Sequence, residues 1–445
     1  MFDLAIIGGG PAGYVAAEKA AKGGMSVILF ERKELGGVCL NEGCIPTKTL
    51  LYSAKVLDYA RHADKYGITV PEAALDFAAV MKRKEKVVKK LVGGVRIRMR
   101  NAAVEVVKAD AFIEGQVSGG FAVKADGQRF EAARLLICTG SEAAVPPIPG
   151  LAESKAVVTN REILSLTEAP ERLVIVGGGV IGMEFASFFN SIGTEVTVIE
   201  MLPKILGPMD NEISAMLQAQ YAKKGVQFHL SCKVTAIEGP AVVYETPEGE
   251  VCRAEGDLIL VSVGRRANIK GLGLENLGVK TERGIVVNAR METSVPGVYA
   301  AGDVTAFSML AHTASREAEV AVANMLGESQ EMQYNAIPGI VYTNPEVAGV
   351  GLTEQEAGPG IRVLKLPMAY SGRFIAENER GEGLCKVLVN AAGQVVGVHM
   401  LGNPCSEIIP AAAIAVEKGM TVAQLLEVVW PHPTVAEILK ETLTL

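Results

Sequence analysis

The chain has 445 residues, 49% of them hydrophobic and 48 of them glycine, which is material for roughly two to four domains of an α/β protein with many tight strand-to-helix turns. Its net charge of -7 is small for this length and leaves no basic footprint for nucleic acid or an anionic membrane surface. Glycine and charged residues interrupt every apolar run before it reaches membrane-spanning length. Met1-Phe2-Asp3 leads straight into a strand without a basic start, a cleavage site or an Arg-rich pattern, so a cytoplasmic protein, or one already processed, is expected.

Leu4-Ala5-Ile6-Ile7 is a short apolar run followed by Gly8-Gly9-Gly10-Pro11-Ala12-Gly13 and an alanine-rich helical segment to about Lys22. Val27 to Phe30 reads as the next strand and ends on Glu31. Strand, G-x-G-x-x-G, helix, strand and terminal acid together make the dinucleotide fingerprint. The glycines allow a tight turn and let a pyrophosphate approach the helix amino end, and Glu31 can accept hydrogen bonds from a ribose.

Next comes Gly36-Gly37-Val38-Cys39-Leu40-Asn41-Glu42-Gly43-Cys44-Ile45-Pro46-Thr47-Lys48. Cysteines five apart on one regular helix are too distant for a disulfide, so Cys39 is expected before the helix, with Gly43 bending the chain and the helix starting near Ile45. Cys44 then faces free backbone N-H groups, which lower a thiol pKa, and Lys48 adds a cation one turn on. A metal site would need further Cys or His nearby, and a structural disulfide does not suit a chain without a secretory signal, which favours a redox-active pair. Cys138, Cys232, Cys252, Cys385 and Cys405 are scattered singly and read as small buried hydrophobes, so no metal site is expected.

Phe77 to Arg100 carries a run of lysines and arginines on a helical pattern, read as a solvated face because no aromatic residue is interleaved. Leu135 to Gly140 is a buried strand ending in glycine, and Pro146 to Gly150 a linker. The fingerprint then recurs: Leu173 to Val176, Gly177-Gly178-Gly179-Val180-Ile181-Gly182, a helix to about Ser191, and Val196 to Ile199 ending on Glu200. Gly8 to Glu31 and Gly177 to Glu200 are equally spaced. Two dinucleotide sites fit one flavin and one nicotinamide cofactor, the minimum for passing electrons between them. Glu200 suits a free 2'-hydroxyl and repels a 2'-phosphate, which favours NAD over NADP.

Leu258 to Arg266 is a second strand-to-glycine exit, and Val298 to Asp303 is a strand with an acid at its carboxyl end, where ligands of open α/β sheets gather. From about Tyr334 the texture changes. Val341-Tyr342, Cys385 to Val389 and Gln394 to His399 read as strands of a mixed or antiparallel sheet, and Ile408 to Glu417 and Val422 to Val429 as helices. Near the end, Trp430-Pro431-His432-Pro433-Thr434-Val435-Ala436-Glu437 has two readings. Thr434 and Glu437 form a T-x-x-E capping box, as Thr421 and Gln424 do nearby. Alternatively, a histidine between two prolines is oriented by a carboxylate as a general base. The pattern by itself leaves both open.

Taken together, the chain resembles the flavin-dependent pyridine nucleotide disulfide oxidoreductases over essentially its whole length, most closely the dihydrolipoyl-oxidising members. Gly8 to Gly13, Gly36 to Lys48, Gly177 to Glu184, Gly264-Arg265-Arg266, Ala301-Gly302-Asp303, Met309 to His312 and His432 to Glu437 carry the match. The resemblance implies an α/β architecture of two Rossmann-like dinucleotide-binding domains, for FAD and NAD, plus a carboxyl-terminal α+β dimerisation domain. Its expected boundaries are 1–145 and 269–333 for the FAD and central parts, 146–268 for NAD and 334–445 for the interface.

By that resemblance FAD contacts Gly8, Gly10, Gly13, Glu31, Lys48, Ala111, Thr139, Gly140, Ser141, Asp303, Met309, Leu310, Ala311 and His312. NAD contacts Gly177, Gly179, Gly182, Glu200, Val234 and Gly264, and Glu184 pairs with Lys48. Catalysis falls to Cys39, the interchange sulfur, to Cys44 against the flavin, to His432 from the other subunit of a homodimer, oriented by Glu437, and to Lys48 and Glu184. The His432–Pro433 bond is expected to be cis. The implied reaction oxidises dihydrolipoyl groups, carried by a protein of a 2-oxo acid dehydrogenase or glycine-cleavage complex, with NAD.

Some features depart from the family pattern. The chain is somewhat short and without an amino-terminal lipoyl domain, Trp430-Pro431 stands where another histidine is common, and Ser371-Gly372-Arg373-Phe374 replaces a more usual Asn-Ser-Arg-Ala. A related disulfide or mercuric reductase and a non-catalytic flavoprotein subunit are the alternatives. The last six residues hold no cysteine pair of the mercuric reductase kind.

Overall fold

The computed structural model describes residues 1–378 and 381–445. The chain forms two compact units, the first from residues 1–49, 81–144 and 264–333, the second from 50–80, 145–263 and 334–445.

In the first unit, strands Phe2–Ile7, Val27–Phe30, Glu105–Val107, Val298–Ala300 and the end of Gln128–Ile137 run parallel, with Phe2–Ile7 central. Ala111–Val117, Gly120–Ala125 and the start of Gln128–Ile137 continue the sheet as an antiparallel meander. The fully buried runs Leu4–Ile7 and Val27–Phe30 are apolar without alternation, as strands covered on both faces must be. Helices Pro11–Lys22 and Ala311–Met325 pack together, and alanines on both helices allow the close approach.

The second unit holds an all-parallel sheet in the order Gln227–His229, Glu195–Ile199, Arg172–Val176, Leu258–Val261, Val157–Val158. A three-stranded antiparallel sheet over residues 233–255 lies beside it. Pro146 to Gly150, expected as a linker, is pinned: Ile237 N-H donates to the Pro149 carbonyl at 2.8 Å. From Gly339 onward, five antiparallel strands in the order 339–341, 347–351, 395–401, 384–389, 362–367 carry helices Cys405–Glu417 and Glu437–Leu443. Thr421 and Gln424 form their capping box at helix Val422–Glu427, which ends before the exposed Val428 and Val429.

The basic helix is Phe77–Asn101, and its face is not wholly solvated. Lys84 is buried, and burial pushes its ammonium down from its ordinary value. The reading from charge pattern missed the inward stripe of this amphipathic helix, which recurs every three or four residues and takes Met81, Lys84, Val92, Val95 and Met99 to the packed side.

A buried ion cluster joins the parallel sheet's last helix to the antiparallel sheet. Lys386, fully buried, lies 2.7 Å from Asp210, 2.6 Å from Glu354 and 2.8 Å from Glu212, and Asp210 also caps helix Asn211–Lys223 through the N-H groups of Glu212 and Ile213. Burial alone would push the Asp210 carboxyl up, but the Lys386 hydrogen bond and the amide donors outweigh it and hold it below its ordinary value. A carboxyl with a depressed folded pKa stabilises the fold above its unfolded value, near pH 4, and loses that contribution as pH falls through the lower folded value. Lys386→Met is therefore expected to cost about 3–5 kcal/mol at neutral pH, because it strands buried carboxylates. The gap from the parent protein should narrow below about pH 4 as those carboxylates protonate. Urea denaturation at several pH values tests this, and a pH-independent loss would assign the effect to packing.

Candidate functional site

The two fingerprints fold alike because the same steric demands recur. A Cβ on Gly8 would overlap the Cys138 carbonyl oxygen, and one on Gly13 would overlap the Gly8 carbonyl. Likewise, a Cβ on Gly177 would lie 2.6 Å from the Ser262 carbonyl oxygen, and one on Gly182 would overlap that of Gly177. The middle glycines differ. A Cβ on Gly10 would have nothing nearer than the Gly37 Cα at 3.7 Å, and one on Gly179 would meet nothing within 4 Å. Clearance sits only where a ligand backbone must approach. Gly10 and Gly179 begin helices Pro11–Lys22 and Val180–Ile192, and no side chain caps either helix start, so first-turn amides remain for a pyrophosphate.

The terminal acids are held identically. Glu31 accepts the Gly9 N-H at 2.8 Å and the Lys33 N-H at 2.7 Å, one on each carboxyl oxygen. Glu200 accepts those of Gly178 at 2.6 Å and Leu202 at 2.8 Å. Each carboxylate is thus fixed over the glycine turn. Lys204, the nearest cation after Glu200, donates to the Met209 carbonyl. These features fit a dinucleotide in each half.

Cys39 lies before the helix that Cys44 opens, as the spacing requires, and it does so inside a short helix of its own, Gly37–Glu42. Gly43 (φ -149°, ψ -108°) breaks the chain, and Cys44 opens helix Cys44–Arg61 one residue earlier than expected, with Pro46 in its first turn. Two helices meeting at a glycine break reconcile the five-residue spacing with sulfur contact. The Cys39 thiol is pushed far up, first by its hydrogen bond to the Cys44 sulfur, then by burial and the Cys44 charge, against the opposing pull of Lys48. Cys39 is thus held protonated by its surroundings, while Cys44 has the amino end of helix Cys44–Arg61 behind it, a placement that favours a thiolate.

The first unit, which also holds the pair, contains Gly8, Gly10, Gly13, Glu31, Lys48, Ala111 at a strand start, Thr139, Gly140, Ser141, Gly264, Asp303, and Met309, Leu310, Ala311 and His312 at the start of helix Ala311–Met325. The second holds Gly177, Gly179, Gly182, Glu184, Glu200, Val234, His432 and Glu437. Gly264 thus falls in the same unit as Asp303, not with Gly177. Glu184, 3% exposed, is not a solvent-facing helix-start acid, and its Oε1 accepts the Tyr342 N-H at 3.1 Å.

At the carboxyl end both readings of Glu437 hold in part. Its carboxylate accepts the Thr434 N-H at 2.9 Å and lies 3.0 Å from His432 Nδ1, while the Thr434 hydroxyl donates to the Pro431 carbonyl and leaves the capping box half made. The Thr434 N-H, and after it His432, hold the Glu437 carboxyl below its ordinary value. The His432–Pro433 bond is cis, and the His432 ring is exposed.

Sequence reasoning missed two buried charges. Arg265 donates to both the hydroxyl and carbonyl of Ser141, and Glu317, fully buried, accepts the Gly302 N-H at 2.6 Å. Glu317 had a readable signal: it interrupts the inward stripe Ala314, Ala318, Ala321 of its helix.

Two nucleotide-binding sheets, with a polarised dithiol in one of the halves, define a redox protein that exchanges electrons between sulfur and dinucleotides. Residues 2–318 match the pyridine nucleotide-disulphide oxidoreductase family and residues 337–443 match its dimerisation domain, so the chain belongs to this family. It is 40% identical to a dihydrolipoyl dehydrogenase of Thermus scotoductus, covering 99% of this chain and 96% of that one. It is 36% identical to the dihydrolipoyl dehydrogenase of Bacillus subtilis, covering 99% and 97%. Among solved structures, LpdA from Mycobacterium tuberculosis superposes with a TM-score of 0.90 at 25% identity, covering 99% of each chain. The HOCl-induced flavoprotein disulfide reductase from Escherichia coli does so with 0.88 at 28%, covering 100% of this chain and 99% of that one.

The Glu437 geometry yields a direct test. Glu437→Gln keeps a group able to accept the Thr434 N-H and removes the charge beside His432. The acid limb of the pH–rate profile for thiol oxidation is expected to move to lower pH with the melting temperature unchanged. A lower melting temperature with an unmoved profile would leave Glu437 as a helix-start residue only.

Proposed function

We propose that this chain is an FAD-containing, NAD-linked dihydrolipoyl dehydrogenase that works as a homodimer. The observation that carries the chemistry is the polarised Cys39–Cys44 pair at a helix start, and the full-length relatives supply the substrate class. A bound FAD would supply the two-electron relay between the reduced pair and NAD. Gly8, Gly10, Gly13, Glu31, Lys48, Ala111, Thr139, Gly140, Ser141, Asp303 and the 309–312 turn hold FAD, and Gly177, Gly179, Gly182, Glu200, Val234 and Gly264 serve NAD. The Glu200 carboxylate, held over the glycine turn by the Gly178 and Leu202 N-H groups, would repel a 2'-phosphate and supports NAD over NADP.

In the oxidised enzyme Cys39 and Cys44 share a disulfide. His432 of the partner subunit, oriented by Glu437, takes the proton from a dihydrolipoyl thiol. The thiolate attacks Cys39 Sγ and breaks the Cys39–Cys44 bond, leaving Cys44 as a thiolate. The second substrate thiol, deprotonated in turn, attacks the substrate sulfur of the mixed disulfide and releases oxidised lipoyl and Cys39, which takes a proton. Two thiols have become a disulfide, and the enzyme disulfide two sulfhydryl groups, one of them ionised. The depressed acidity of Cys39 supports this order, because the interchange sulfur regains its proton while Cys44 keeps the charge. Lys48, one helical turn beyond Cys44, supplies positive charge on the Cys44 side. The lipoyl group belongs to a protein of a 2-oxo acid dehydrogenase or glycine-cleavage complex, in the cytoplasm. Among the described residues no helix is long and apolar enough to cross a membrane.

Anaerobic addition of dihydrolipoamide to the holoenzyme should give a long-wavelength thiolate-to-flavin absorption band, followed by NADH on adding NAD. Intact FAD without that turnover would sink the dihydrolipoyl reading. Cys39→Ser should keep the band, since Cys44 is its donor, and lose disulfide exchange. Loss of the band in this variant would reverse the roles of the two sulfurs.

A further inference from the structure

The strand exit Gly264-Arg265-Arg266 follows the nicotinamide half in sequence, yet its first arginine is turned into the first unit. Gly264, at φ +120°, accepts the Ala144 N-H at 2.9 Å and starts an antiparallel ribbon in which Arg265 lies opposite Ala143, Arg266 opposite Glu142 and Ala267 opposite Ser141. Arg266 stays at the surface in an ion pair with Glu142. Arg265 has only 12% of its side chain exposed; its Nε donates to the Ser141 hydroxyl at 2.7 Å and its Nη2 to the Ser141 carbonyl at 2.8 Å.

A guanidinium can only donate, so the Ser141 oxygen must accept from it, and the hydroxyl proton is committed elsewhere. It goes to Asp303 Oδ2 at 2.5 Å, while Arg265 Nε itself stands 4.0 Å from the same oxygen. From the other side, Glu317 takes the Gly302 N-H, and Gly302 sits at φ +84° with room for no more than a Cβ between Ala12 and Ala314. The backbone before Asp303 and one oxygen of its carboxylate are both fixed, which sets the direction of the other oxygen.

We propose that Arg265 is a positioning residue for the flavin and not a contact of the nicotinamide cofactor: it orients Asp303 through the Ser141 hydroxyl. This rests on FAD occupying the first half, as assigned above, and not on the identity of the thiol substrate. The ordered series from guanidinium to hydroxyl to carboxylate makes a prediction that independent contacts would not: once the Ser141 hydroxyl is removed, Arg265 reaches Asp303 only across the 4.0 Å gap, outside hydrogen-bond distance, and most of its effect is lost.

The test uses the purified holoenzyme and reads FAD release by the rise of free-flavin fluorescence, with the KM for NAD measured alongside. Arg265→Met and Ser141→Ala should each speed FAD release roughly tenfold, the scale of one charge-assisted hydrogen bond, with the KM for NAD within about twofold. The double variant should release FAD no faster than Ser141→Ala, and Arg266→Ala should release it at the parent rate. Parent-like FAD release in Arg265→Met together with a raised KM for NAD would overturn the proposal in favour of a nicotinamide contact. Multiplied effects in the double variant would overturn the series. If Arg265→Met does not fold, Arg265→Lys, which keeps the charge but loses the two-pronged geometry, should still speed FAD release, and its failure to do so would count against the assignment. FAD release is measured without lipoyl substrate, so its outcome stands apart from that of the dihydrolipoamide titration.

Discussion

The closest backbone approach in each nucleotide half governs what the rest can do. The first strand, the glycine turn and the helix that follows meet a carbonyl where no Cβ fits, at Gly8 against Cys138 and at Gly177 against Ser262. That contact seats the helix on the sheet and aims its uncapped first turn past Gly10 and Gly179, where space remains. The acid at the end of the second strand then folds back onto the turn's own amide. Each half is thereby a rigid clip for a pyrophosphate and a ribose before any ligand arrives.

On the first of these clips the chain adds asymmetry between two like groups. Cys39 and Cys44 share one chemistry and are both half-buried, but a glycine break gives them different neighbours: one lies within a short helix, the other stands at the amino end of an 18-residue helix. The hydrogen bond to Cys44, and after it burial, push the Cys39 thiol up. The two sulfurs are thereby made unequal, as a pair that exchanges with a thiol on one side and donates on the other requires. The same economy appears at Glu437, where one carboxylate fixes the start of the last helix and the orientation of His432.

Much of this was legible in the residues. Two fingerprints, the equal spacing of Glu31 and Glu200, the Cys39–Cys44 pair with Gly43 between, and the change of texture near Tyr334 are short-range patterns, and short-range patterns report local geometry well. Three of the five strands from Gly339 onward were readable as runs of a mixed or antiparallel sheet, while Val347–Gly351 and Arg362–Pro367 were not. Less legible were charges drawn inward by tertiary packing: Lys84 on a helix that reads as solvated, Lys386 among three carboxylates, and Glu317 under the Gly302 turn. The carboxylates around Lys386 come from distant stretches of the chain, while Lys84 and Glu317 sit on inward helical stripes that their charge disguises.

By itself, then, the sequence determined the two nucleotide-binding turns, the reactive dithiol and the histidine–carboxylate pair near the carboxyl end, because glycine, cysteine and proline spacings act over a few residues. Only the tertiary structure decided which sulfur keeps the proton, that Glu437 serves His432 and the helix start at once, and that Arg265 turns toward Asp303. Those outcomes depend on burial and on donors and acceptors brought together from distant stretches, and such distances exist only once the chain has folded.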